Sequence, residues 1–155
     1  MEALRQAITS ILVRARDDIR TKMQAQGVNA SGRTSASLQV RDLGTNIQLV
    51  GGGKNAAPIP TLEVGRPGGR VPKGFYYIIK QWTRDKGLQF ATEAERSTFS
   101  YFVARKIAAE GTFRHTHNID VYTTIAQKSV NEIRAMIVEH TGSTIKAAIA
   151  VSKIK

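Results

Sequence analysis

Residues 37–50 read SLQVRDLGTNIQLV. Leu38 and Val40 alternate with polar neighbours, and so do Ile47 and Leu49, which is the two-residue period of a half-buried strand. Asp42-Leu43-Gly44-Thr45 between them reads as a hairpin turn. This pair decides the fold class, because the segments on either side are mostly helical in period. With it the chain reads as α+β.

Upstream, Leu4, Ile8, Ile11, Leu12, Ala15, Ile19 and Met23 recur at intervals of three and four. They form one apolar stripe on a helix of about six to seven turns. Gly27 stands where a helix-ending glycine belongs. Arg5, Arg14, Asp18 and Lys22 occupy the other face and read as a solvated surface. Downstream, Pro60–Gly65 (PTLEVG) reads as a third extended segment. The helical period then returns in Gly74–Gly87, with Phe75, Ile78, Ile79 and Trp82 on one face. Thr92 with Glu95 three residues on is a capping box opening the next helix. Phe99, Phe102, Val103 and Ile107 are its expected buried stripe, turned toward the sheet and the N-terminal helix, with Trp82 covering the same core. A last helix is expected from Asp120 to about Glu139, with Val121, Ile125, Val130, Ile133 and Ile137 inward. The tail STIKAAIAVSKIK, residues 143–155, fits either a strand or a helix. The expected architecture is one domain, residues 1–155: a long N-terminal helix and two to three further helices packed on a small antiparallel β-sheet.

Composition bounds the function. The 155 residues are 41% hydrophobic and 23% charged, ordinary values for a globular protein. There is no cysteine, which excludes disulfides and thiolate metal sites. No apolar run approaches the ~20 residues of a membrane span, and the N-terminus is amphipathic with early acids, unlike a signal peptide. A net charge of +11, from 23 Lys and Arg against 12 Asp and Glu, points to an anionic partner, either nucleic acid or an acidic protein surface.

The conspicuous local feature is GRPGGRVPKG, Gly65–Gly74, with four glycines, two prolines and three cations in ten residues. A phosphate cradle requires Lys-Ser or Lys-Thr after its glycines. Here Gly74 follows Lys73, and Pro67 and Pro72 lack the backbone donors a cradle uses. Gly51-Gly-Gly-Lys54 fails likewise, since Asn55 comes next. A free linker is disfavoured because the helices beyond need the upstream sheet for burial. An ordered basic loop is left. From Arg66 to Lys86 the chain carries six cations (Arg66, Arg70, Lys73, Lys80, Arg84, Lys86) and one acid, Asp85, and this region is the expected contact with an acidic neighbour or with DNA.

Other chemistry is thin. His115 and His117, close to Asp120, would share a face on a strand and could hold a metal with a third ligand, or act as an acid–base pair. No second cluster supplies the missing ligands, so a polar interhelical loop is the plainer reading. His140 suits the negative end of the last helix. Trp82, Tyr76 and Tyr77 could stack on bases, though their spacing fits a half-buried face. No nucleophile stands with a base. No metal, cofactor or catalytic residue is expected.

The order of these segments resembles the tail-completion, or neck, proteins of tailed bacteriophages. The likeness is carried by Glu63, Gly65 and Arg66 as Glu-x-Gly-Arg, by the Pro67–Pro72 basic loop, and by Ile79 and Trp82 in a helix closing on Lys86-Gly87. Ile107, Ala108, Gly111 and Thr112 match the end of the second helix. The long first helix before Ser31-Gly32-Arg33 also fits, and the likeness runs to about residue 115. Val71 before a single proline departs from relatives, which often have an aromatic and two prolines there. The resemblance implies a non-enzymatic structural protein of the virion, assembled in the host cytoplasm. It would form a homo-oligomeric ring between portal or head-completion proteins and the tail, around the DNA channel, with possible non-specific contact to packaged DNA and no membrane. A free basic nucleic-acid-binding protein explains the charge as well, but no helix-turn-helix, zinc-finger or RNA-recognition signature is present. A small basic nuclease using His115 or His117 explains less.

Overall fold

The computed structural model describes residues 2–28, 30–56, 58–112 and 119–152. The fold is α+β. In chain order the elements are α1 (Glu2–Ala25), α2 (Arg33–Ala36), β1 (Leu38–Asp42), β2 (Ile47–Gly51), a 3-10 turn (Lys54–Ala56), α3 (Thr61–Val64), α4 (Phe75–Asp85), α5 (Glu93–Glu110) and α6 (Thr123–Ser152). β1 and β2 pair antiparallel, Val40 opposite Leu49 and Leu38 opposite Gly51. The turn between them closes with the Leu43 N–H donating to the Asn46 carbonyl at 2.9 Å. Arg5 of α1 bonds both the Asp42 carboxylate and the Gly44 carbonyl, fastening the hairpin tip to the helix.

Ile11, Ala15, Ile19 and Met23 are the buried line of α1, within the stripe read from the sequence. The stripe ends where Gly27 takes φ 65°. There the Gly27 N–H donates to the Gln24 carbonyl and the Val28 N–H to that of Met23, the paired bonds of a Schellman end. Ile19, Met23, Leu38 and Val121 form the core, with Val28, Leu49, Ile59, Leu62 and Ile125 packed against it. The polar face of α1 is not simply solvated, as expected. Arg14 pairs with Glu132 at 2.5 Å and Lys22 with Asp120 at 2.6 Å, so this face locks α1 antiparallel to α6.

The third extended segment is corrected: Thr61–Val64 is a turn of helix, and among the described residues the sheet has two strands. Pro58 and Pro60 favour a turn, and the Thr61 N–H and hydroxyl both donate to the Pro58 carbonyl.

The α5 stripe is also corrected. Ser100 and Ala104 are the buried residues of α5, while Phe102 is 62% and Phe99 39% exposed. Likewise α4 buries Ile79 and Thr83 and leaves Ile78 and Trp82 at the surface. Helical spacing shows which residues share a face, not which face turns inward. Here α4 and α5 pack on each other through small side chains that let the backbones approach. Their hydroxyls are satisfied within their own helices, Ser100 donating to the Arg96 carbonyl at 2.7 Å and Thr83 to that of Lys80 at 2.8 Å. The α5 start is as read: the Thr92 hydroxyl accepts the Glu95 N–H at 3.1 Å, and the Glu95 carboxylate accepts that of Ala91 at 3.1 Å. Thr92→Ala should lower stability by about 1 kcal/mol, read as a shifted denaturant midpoint with unchanged slope.

The last helix runs on through Ser152, so the described part of the tail, residues 143–152, is helical and His140 lies inside the helix rather than at its end. Val121 is fully buried and Ile125 and Ile133 half-buried, but Val130 and Ile137 are exposed and Ser129 is buried in their stead. α6 has 30 residues and α1 has 24, so α6 is longer by about 9 Å and its C-terminal turns outreach α1.

Candidate interaction surface: the basic loop and its stem

Gly65–Gly74 is tied to the end of α5 by backbone bonds. The Arg66 N–H donates to the Thr112 hydroxyl at 3.0 Å, and the Thr112 N–H returns to the Arg66 carbonyl at 2.9 Å. Pro67 and Gly111 form an antiparallel bridge, and the Gly69 N–H donates to the Ala108 carbonyl at 2.6 Å. The approach requires glycine on both sides. A Cβ on Gly111 would strike the Arg66 carbonyl and Pro67, and one on Gly68 the Ala109 carbonyl.

The six cations divide by role. Arg66 turns into the loop, donating to the Arg70 carbonyl at 2.6 Å with its guanidinium 5.6 Å from the Phe75 ring centre. Arg70 and Lys73 are exposed, and neither side chain makes a hydrogen bond or ion pair within the described residues. Lys80 and Arg84 converge on Glu93, at 2.9 and 2.6 Å, joined by Arg96 at 3.3 Å. The Lys80 hydrogen bond holds the Glu93 carboxyl below its ordinary pKa, and Glu93 raises that of Lys80. Lys86 reaches the Gly27 carbonyl at the end of α1, while the neighbouring Asp85 pairs with Arg33 at 2.8 Å. The cations therefore make no single patch: two project freely, three brace α4 against other elements, and one closes the loop.

The residue whose role the sequence did not disclose is Glu63, just before the loop. One of its carboxylate oxygens accepts the Val121 N–H at 2.7 Å, the Thr123 N–H at 2.8 Å and the Tyr122 N–H between them. The other oxygen takes the Thr123 hydroxyl. Three orphan donors at the start of α6 are thus satisfied by a residue 58–60 positions away. Burial opposes ionisation of Glu63, but these hydrogen bonds outweigh it and its pKa is lowered. Asp120 adds a local cap to the Thr124 N–H at 3.1 Å, and its hydrogen bond from Lys22 leads in lowering its pKa to about 2. Capping motifs are legible when both partners lie within one turn; a cap from a distant segment leaves no local signal.

An open groove of about 300 Å³ lies between the loop and α5. Val71, Pro72 and Phe75 form one side and Tyr101 and Arg105 the other, with Ala104 and Ala108 between. His115 and His117 lie outside the described residues, and no group of three or more metal-ligating side chains occurs among those described. No helix there is long and apolar enough to cross a membrane. Comparisons with protein-family models, with curated proteins and with solved structures found no match.

Proposed function

We propose that this chain is a structural, non-enzymatic virion protein of a tailed bacteriophage. It would form a homo-oligomeric ring in the neck, joining the portal or head-completion complex to the tail around the DNA channel. The observation that carries this reading is the order and spacing of the motif residues from Glu63 to Thr112. Their interlocking supports it: Glu63 caps α6, Arg66 exchanges bonds with Thr112, and Pro67 bridges Gly111. These residues build one rigid presentation of a loop whose free cations are Arg70 and Lys73. Loops held on rigid scaffolds are where recognition is usually placed.

The test replaces Arg70 and Lys73 with alanine and leaves Arg66, which closes the loop. Exposed unpaired cations contribute little to stability, so the chain should fold unchanged. Particles assembled with it should be filled heads without tails, or heads that leak DNA, in electron micrographs. Normally tailed, infectious particles would reject a joining role for the loop. Joining that weakens further with salt would identify charge contacts.

A further inference from the structure

We infer that the groove between the basic loop and α5 is a docking site for an acidic segment of a partner protein that carries an apolar anchor residue. The inference goes beyond the neck reading and does not rest on it. Two features of the groove support it. Its lining is mostly apolar, with Val71, Pro72, Phe75 and Tyr101 around a shallow open depression where Ala104 and Ala108 add little bulk. Its rim is net positive. Arg70 and Lys73 flank the Val71–Pro72 wall in the chain, and Arg105 lies 5.8 Å from the Tyr101 ring centre with no acidic partner among the described residues.

Charge complementarity selects the occupant. Of the nearby acids, Glu93 is engaged by Lys80, Arg84 and Arg96, Asp85 by Arg33 and Glu63 by the start of α6, which leaves the exposed Glu110 at the end of α5 as one acid against the three rim cations. The rim therefore keeps an excess of positive charge that its own surroundings do not match. A second copy of this chain is a poor source of counter-charge, because six of its twelve acids (Asp17, Asp42, Asp85, Glu93, Asp120 and Glu132) are already ion-paired and Glu63 caps α6. A nucleic acid backbone needs a continuous track of free cations. Here Lys80, Arg84 and Arg96 are gathered onto the one carboxylate of Glu93, so they are held away from a track and Arg70, Lys73 and Arg105 stay at one rim. An acidic peptide with an aromatic or branched aliphatic side chain satisfies both rim and depression. The pre-formed walls and the two prolines limit what must be ordered on binding.

The experiment selects a displayed random-peptide library on the intact protein. Enriched peptides should combine several Asp or Glu with Phe, Trp, Leu or Ile. Affinity of a synthetic representative should fall about tenfold or more for the triple variant Arg70→Glu, Lys73→Glu, Arg105→Glu, and fall with salt. It should also fall for Tyr101→Ala, which removes an exposed wall without touching charge. Circular dichroism of the variants should match that of the parent protein. No binder, binders lacking acids, or binders indifferent to these variants would overturn the inference. Tight binding of an oligothymidylate lost in the triple variant would assign the rim to nucleic acid instead. Self-association abolished by the same variant would assign it to a second copy.

Discussion

Glu63→Ala is expected to lower unfolding stability by about 2–3 kcal/mol, since it removes a charged acceptor from partly buried donors. Val121, Tyr122 and Thr123 would lose the acceptor that satisfies their N–H groups at the start of α6. The damage should concentrate there, and hydrogen exchange should show the first turn of α6 losing protection before α1 does. Glu63→Gln keeps an oxygen for the amides but loses the charge that complements the helix dipole, so it should cost about 1 kcal/mol. The pH dependence has a definite sign. The folded-state pKa of Glu63 is depressed, so its contribution is fully present above the unfolded carboxylate value of about 4.3. It disappears as pH falls through the lower folded-state value. Asp120, with its folded pKa of about 2, extends the same acid loss further down. Urea midpoints measured from neutral pH downward should drop for the parent below about pH 4 and drop less for Glu63→Gln. Parallel acid profiles would show that the carboxylate does not hold the helix.

The second large effect is expected at Gly111. Its backbone stands at φ 76°, ψ −162°, a region essentially confined to glycine. A side chain there would meet the Arg66 carbonyl and Pro67 as well, and both are backbone with nowhere to yield. Gly111→Ala should therefore cost about 3 kcal/mol or break the Pro67 bridge and release the loop stem. Limited proteolysis distinguishes the two routes, since release should speed tryptic cleavage after Arg70 and Lys73 while α1 stays protected. Gly53→Ala is the control: its φ is 64°, yet nothing lies within 4 Å of the added carbon. It should cost only about 1 kcal/mol, the backbone term without the collision. Equal losses at the two sites would mean that the stem contact contributes nothing.

The sequence by itself determined the elements whose causes are local. The alternation of Leu38, Val40, Ile47 and Leu49 sufficed for the hairpin, the spacing of Ile11, Ala15, Ile19 and Met23 for the buried line of α1, and Thr92 with Glu95 for the start of α5. Each is set by period or by a partner within one turn. What only the tertiary structure decided is which faces meet. Phe99 and Phe102 share the spacing of a core stripe, yet Ser100 and Ala104 form the seam, because close packing of α4 on α5 rewards small side chains with satisfied hydroxyls. The cations of α4 look alike in the chain, but only the fold brings Glu93 to Lys80 and Arg84 and leaves Arg70 and Lys73 free. Glu63 is the clearest case: its acceptors serve donors 58–60 residues away, and a pairing of that range is fixed by how the whole chain packs, not by any pattern along it.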